Sequence, residues 1–229
     1  MGAQESKPSH VQEDVLDSLK RFDTVLVVDD SASMHGKRWA QAGEALANLA
    51  YTAAKYDADG IEIHFINSRK FQSHAQSAKV VKKLFKSVIL SGSTPLGGKM
   101  NVLLSDYLAR LEQDPTTKPV NFIVITDGAP TDYPKTKLED TIVEVAEKLD
   151  AQNASPTQIG IQFVQIGDAE GATEYLEKLD NDLKVKHGIR DMVDTTLSEP
   201  EEDLDIVKIL VGAINRRVDV KGSAVLTGA

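Results

Sequence analysis

Five residues on three separated segments carry the chemistry this sequence offers. Asp29, Ser31 and Ser33 stand in the run Asp29-Asp30-Ser31-Ala32-Ser33-Met34, with Gly36 beyond it. Thr94 stands in Gly92-Ser93-Thr94-Pro95-Leu96-Gly97, and Asp127 opens Asp127-Gly128-Ala129-Pro130-Thr131-Asp132. The donors are carboxylate and hydroxyl oxygens with no required His, which suits a hard cation: Mg²⁺, Mn²⁺ or Ca²⁺. Alternate spacing puts Asp29, Ser31 and Ser33 on one side of an extended turn. Few charged ligands plus water leave a coordination position open, as suits Mg²⁺, and an open position takes an exogenous oxygen.

These segments need elements to hold them together. Strand-like runs are Thr24–Val28, Ile61–Asn67, Asn121–Thr126, Gln158–Ile166 and the short Met192–Val193, with Arg69–Ser73 as a weaker antiparallel edge. The first, third and fourth are nearly continuously apolar, as expected of strands buried on both faces of a parallel sheet. Helical periodicity spans Arg38–Tyr56, Gly97–Gln113, Thr136–Leu149 and about Glu199–Val218, the last entered through the capping box Ser198-Glu-Pro-Glu201. Alternation of such elements predicts an α/β fold: three layers, Rossmann-like, a central mostly parallel sheet with one antiparallel edge strand and helices on both faces. Ligands bind such sheets beyond the carboxyl ends of the strands, where the strand order reverses. Asp29 and Asp127 each follow a strand directly. One domain is expected over residues 21–218, with flexible tails at 1–20 and 219–229.

With the residues in place, a resemblance can be stated. Asp29-x-Ser31-x-Ser33, Thr94 in a Gly-x-Thr loop and Asp127 in Thr-Asp-Gly together resemble the metal-ion-dependent adhesion site of von Willebrand factor A domains. The resemblance covers about residues 22–218, and the segment Tyr56–Ser68 is similar to single-domain intracellular members found in fungi. Ala32 departs from the frequent Gly, but it is small. The resemblance implies Ser31 and Ser33 as direct ligands, and Thr94, Asp29 and Asp127 as direct or water-mediated ones. It also implies a protein partner that completes the coordination sphere with a Glu or Asp oxygen. In the family's switching members the last helix shifts when this happens.

Neighbouring residues read more plainly. Asp30 is expected as a solvated or supporting charge, and Asp132 and Asp168 as loop acids facing water. His35 reads as a surface side chain, and no pair of His residues has zinc-site spacing. Trp39 reads as core rather than a stacking platform, and Asp57-Ala-Asp-Gly60 as a turn.

Other function classes fail on particular residues. A phosphoacceptor receiver needs its acceptor Asp at the third strand of a much shorter chain, whereas Asp127 lies 98 residues beyond Asp29. Gly97-Gly98-Lys99 imitates a nucleotide-binding loop, but Ser93 and Met100 stand where Gly and Ser or Thr are needed. A metal-dependent hydrolase lacks a His-activated nucleophile or a G-x-S-x-G elbow. A binding module rather than an enzyme is expected, the alternatives being a metal-independent scaffold using another face and, less favoured, a metal-dependent hydrolase.

Composition agrees with this reading. The chain has no Cys, which removes disulfides, thiolate metal sites and a Cys nucleophile together. Its 26 bases and 35 acids give a net charge of −9, which argues against nucleic-acid binding. The same charge disfavours long-range steering of an acidic partner, so a partner with a basic rim around its acid is expected. No apolar run approaches a membrane span, and a cytoplasmic protein is expected. Met1-Gly2-Ala3-Gln4-Glu5-Ser6 fits the N-myristoylation pattern at Gly2, an anchor that would be weak alone.

Overall fold

The computed structural model describes residues 16–53, 55–56, 60–132, 137–197 and 206–214 of the 229. The order is β1 (Asp23–Val28), α1 (Lys37–Ala53), β2 (Ile61–Phe65), β3 (Phe71–Ala75), α2 (Ala78–Ser87), α3 (Leu96–Gln113) and β4 (Val120–Thr126). There follow α4 (Leu138–Ala151), β5 (Ile159–Gln165), α5 (Glu170–Asn181), α6 (Leu183–His187), β6 (Val193–Leu197) and α7 (Ile206–Val211). The six strands form one sheet in the order β3-β2-β1-β4-β5-β6. Every pairing is parallel except β2 with β3.

Strand periodicity sends alternate side chains into two separate cores. Leu26, Val28, Ile123, Ile125 and Val164 face α1, α2 and α7, sealed by Leu46, Phe85 and Leu210. Val25, Val27, Phe122, Val124, Ile161 and Phe163 face α3 to α6, meeting Met100, Ile142, Leu176 and Leu183. Strands β1, β4 and β5 are therefore apolar on both faces. The three-layer α/β fold with one antiparallel edge strand is as the sequence predicts.

Several boundaries differ from expectation for physical reasons. Leu16 and Leu19 are buried in the first core and Ser18–Arg21 forms a 3₁₀ turn, so residues 16–20 belong to the domain rather than to a tail. Helix α2 escapes the sequence reading because it is short and lysine-rich. Its apolar residues Val81, Leu84, Phe85 and Val88 nonetheless recur at helical spacing, and Ser77 Oγ caps it by accepting from Val80 N. Helices α5 and α6 were likewise not expected. β6 runs to Leu197 although Asp194, Thr195 and Thr196 gave it a polar look. Of the expected last helix, Ile206–Val211 is α-helical and Gly212–Ile214 is 3₁₀; its capping box and its remainder lie outside the described residues.

Candidate metal centre

Sheet order reverses between the parallel central strands β1 and β4: β2 and β3 are added on one side of β1, and β4, β5 and β6 on the other. Asp29 N donates to Ile125 O at 2.8 Å, so the chain leaving β1 stays paired to β4 up to the first carboxylate. The backbone then turns through a 3₁₀ segment at Ala32–Met34, carrying Ser31 and Ser33 past the sheet edge. Asp127 leaves β4 beside them.

Four of the five expected residues are joined in one hydrogen-bonded chain, three of them oxygen to oxygen. Ser31 Oγ lies 2.9 Å from Ser33 Oγ, and Ser33 Oγ donates to Asp127 Oδ1 at 2.9 Å. Ser31 N donates to Asp29 Oδ1 at 2.9 Å, and Thr126 Oγ1 donates to Asp29 Oδ2 at 2.7 Å. Thr94 is buried and joins through its backbone. Its N–H donates to Thr131 Oγ1 at 2.8 Å and its carbonyl accepts from Thr131 N at 2.9 Å. Ala32 N donates to Gly92 O at 3.1 Å, so all three expected loops are laced together.

Burial dominates the electrostatics of Asp29. Desolvation raises its carboxyl above the ordinary value of 3.8, opposed by the hydrogen bonds from Thr126 and Ser31, with the charge of Asp127 adding to the rise. Two acids are thus brought together in a poorly hydrated place, an arrangement that a cation relieves.

The donor set fits a hard divalent ion. Two hydroxyl oxygens and a carboxylate oxygen are gathered within hydrogen-bonding distance, Ser31 Oγ 2.9 Å from Ser33 Oγ and Ser33 Oγ 2.9 Å from Asp127 Oδ1, an all-oxygen set of the kind a hard cation takes. Among the described residues no three acidic or His side chains cluster at metal-binding distance. An ion here would therefore depend on hydroxyls and water beside its two carboxylates.

Three side chains around the site sharpen the sequence reading, depart from it or were missed by it. Of the two roles expected for Asp30, solvated or supporting, it takes the supporting one. It is buried and accepts Asn67 N at 2.7 Å and Ser68 N at 2.9 Å, tying the end of β1 to the loop after β2. Asp132 is half-buried, and its two oxygens accept Gly97 N at 2.7 Å and Gly98 N at 3.0 Å at the start of α3. Arg38 was not anticipated: its Nη1 donates to Asp127 Oδ2 at 2.8 Å and to Ser33 O at 3.2 Å. It stands in the first turn of the helix after Ser33, where its side chain points back over the helix N-terminus, but nothing in the sequence ties it to Asp127. Asp168 and His35 are exposed as expected. Trp39 is half-buried, stacked on Phe85 with ring centroids 4.4 Å apart.

The six-stranded sheet, mostly parallel with one antiparallel edge and helices on both faces, defines a three-layer α/β domain with its oxygen cluster at the switch point. Sequence comparison matches residues 23–187 to the von Willebrand factor type A domain, and the chain belongs to that family. No curated protein matches it. Among solved structures it is similar to the manganese-loaded TRAP protein of Plasmodium vivax, at 18% identity and a TM-score of 0.48, over 84% of this chain and 74% of that one. It is also similar to the pilus adhesin SpaC of Lactobacillus rhamnosus GG in an open conformation, at 14% identity and a TM-score of 0.46. That match covers 98% of this chain and 31% of SpaC. Domains of this family are typically protein–protein adhesion and interaction modules.

Proposed function

We propose that this domain is a divalent-metal-dependent protein-binding module whose partner supplies a Glu or Asp oxygen to the ion. The observation that carries the reading is the run of oxygens Ser31 Oγ, Ser33 Oγ and Asp127 Oδ1 at 2.9 Å spacings beside buried Asp29. Ser31 and Ser33 would hold the ion through their hydroxyl oxygens, and Asp29, Asp127 and Thr94 directly or through water. A bound Mg²⁺, or Mn²⁺ or Ca²⁺ in its place, supplies a Lewis-acidic position for an exogenous carboxylate.

The protein's own part is positioning. Thr126 and the Ser31 amide aim Asp29, Asp30 locks the β1 exit to the β2 loop, and the Thr131 contacts hold the Thr94 loop against Asp127. No His stands beside a hydroxyl here as a base would, which favours binding over turnover. Turnover abolished both by EDTA and by Asp29→Ala would overturn the non-enzymatic reading. The proposed setting is cytoplasmic. No helix among the described residues is long and apolar enough to cross a membrane, and Gly2, the proposed acylation site, lies outside them.

One observation favours a second reading. Arg38 already neutralises Asp127, as a metal-independent scaffold would require. A thermal melt of EDTA-stripped protein with and without Mg²⁺, Mn²⁺ or Ca²⁺ separates the two. An ion at 100 times its Kd stabilises the fold by about 2.7 kcal/mol, a shift of roughly a few degrees. A shift lost in Asp29→Ala establishes the metal reading, and no shift at millimolar ion leaves the scaffold.

A further inference from the structure

Charge is spread very unevenly along this acidic chain. Residues 63–98 hold six Lys or Arg and no Asp or Glu, while the other 193 residues hold 20 bases and 35 acids. The six cations, Arg69, Lys70, Lys79, Lys82, Lys83 and Lys86, are all exposed, and four of them stand on α2. Among the described residues none of the six has an acidic side chain within ion-pair distance. Net charge is therefore a poor guide to this face. The local surplus of positive charge favours an acidic segment on this face whatever the sign of the whole chain.

An apolar groove of about 580 Å³ opens on the same face, between α1 and α2. Its floor is the Trp39–Phe85 ring stack. Gly43 permits that floor, because a Cβ there would lie 3.3 Å from the Phe85 ring. Lys82 and Lys86 stand on one lip with Ile89, which is 82% exposed, and Glu44 lines the groove from α1. The groove adjoins the oxygen cluster through the chain itself. His35, two residues after Ser33, lines it, and its wall Val88–Leu90 leads into the Thr94 loop. Ser91 N donates to Asp30 O at 3.0 Å, pinning that wall to the end of β1.

We propose that this groove and its lysine lip dock an acidic segment of a partner protein. A bulky apolar side chain of the segment sits on Trp39, Phe85 and Ile89, and its carboxylates face Lys82 and Lys86. The inference rests on the reading of the neighbouring oxygen cluster as a partner-binding metal site, since one more carboxylate of the same segment would reach the ion. A concave aromatic floor takes a single side chain, whereas a lipid surface meets a flat or protruding patch. Glu44 repels a continuous phosphate array but tolerates a segment that is acidic along one side only.

The test begins with selection of a random 12-residue phage-displayed library on the full chain in Mg²⁺. The most enriched peptide is then labelled with fluorescein and titrated by anisotropy. Enriched peptides are expected to be net negative and to carry Leu, Ile, Phe or Trp. Lys82→Glu/Lys86→Glu and, separately, Ile89→Asp should each weaken binding at least tenfold, with unchanged thermal melts because the three positions lie at the surface. Enrichment of peptides without negative charge, no enrichment, or binding indifferent to these variants overturns the proposal. So does co-sedimentation with phosphatidylserine vesicles that is lost in Lys82→Glu/Lys86→Glu while no acidic peptide binds. EDTA and Asp29→Ala separate the two readings. Binding that survives them but fails in the lysine variants leaves the docking face and removes the metal. Binding lost with them yet indifferent to the lysine and Ile89 variants does the reverse.

Discussion

Arg38 reaches from the first turn of α1 to set Nη1 2.8 Å from Asp127 Oδ2. The other oxygen of Asp127 accepts the Ser33 hydroxyl at 2.9 Å, so both are engaged within the chain. The Asp127 side chain is 1% exposed and that of Arg38 35%, which places a half-solvated cation on a buried anion. The guanidinium also passes Gly167. A Cβ there would lie 3.0 Å from Arg38 Nε, and the backbone φ of +83° independently favours glycine. A divalent ion at Asp127 therefore meets a resident positive charge.

Arg38→Met keeps the side chain's length and removes that charge. Asp127 then loses a charge-assisted hydrogen bond, and the EDTA-treated protein should lose about 1–2 kcal/mol, discounted for the exposure of Arg38. Mg²⁺ should bind the variant roughly tenfold more tightly, since relief of about 1.4 kcal/mol of repulsion suffices. Calorimetric titration with Mg²⁺ checks both the direction and the size. Equal or weaker affinity would show that the guanidinium holds Asp127 in place for the ion instead of competing with it.

Two buried threonines make opposite predictions. Thr126 Oγ1 donates to Asp29 Oδ2 at 2.7 Å, whereas the Thr24 hydroxyl is buried with no hydrogen-bond partner among the described residues. Thr126→Val strips a donor from a buried carboxylate and should cost about 1–3 kcal/mol. Thr24→Val, nearly the same shape, removes only an unsatisfied group and should be neutral or stabilising. Urea unfolding of both variants decides it. Equal losses would mean that Asp29 does not depend on the Thr126 hydroxyl.

Asp132→Ala removes the carboxylate that accepts both Gly97 N and Gly98 N at the start of α3. Loss of this capping group should cost about 1–2 kcal/mol. Amide exchange at Gly97 and Gly98 should accelerate while distant amides on β5 keep their protection. Unchanged exchange at the two glycines would show that Asp132 contributes nothing to that helix end.

The contrast between Asp132 and Asp127 explains what was legible in the sequence. Asp127 follows a largely apolar strand and belongs to a spaced pattern, so its place at the sheet's switch point could be read from order alone. Asp132 lies five residues on, and its role depends on the N-terminus of α3, which approaches only through the fold. Arg38 is similar: its partner is 89 residues away, and no spacing rule joins a helix cation to a strand-end acid. Asp194 shows the opposite error. An acid at the second position of β6 makes the strand look short, because the polar layer beneath α7 cannot be foreseen from that strand. Periodicity exposes faces, and these residues act across them.

That polar layer makes Gly212 sensitive. A Cβ at Gly212 would fall 2.3 Å from both Asp194 Oδ2 and Gln162 Oε1, and Gln162 Oε1 already accepts Ala213 N at 3.2 Å. Gly212→Ala must push these side chains aside inside a packed layer, at a cost of about 1–3 kcal/mol. Limited proteolysis should then cut near residues 206–214 before anywhere else among the described elements. A melt within experimental error of wild type would show that Gln162 and Asp194 yield without cost.

Strand β2, one in from the sheet edge, gives a pH prediction that involves no metal. His64 Nε2 lies 2.7 Å from Glu62 Oε1 on β2. The hydrogen bond from His64, then the charges of His64, Arg110 and His74, hold the Glu62 carboxyl below its ordinary value of 4.5 against the opposing effect of burial. A carboxyl depressed in the folded state stabilises the fold above its unfolded value, and that contribution is lost as pH falls through the folded value. Below about pH 4.5, wild type should therefore lose stability more steeply with acid than Glu62→Gln does. The effect is small because the Glu62 side chain is 38% exposed and screened by solvent. Paired urea titrations from pH 6 to pH 3 measure the two slopes, and coincident slopes would mean that the Glu62–His64 contact carries no net stability.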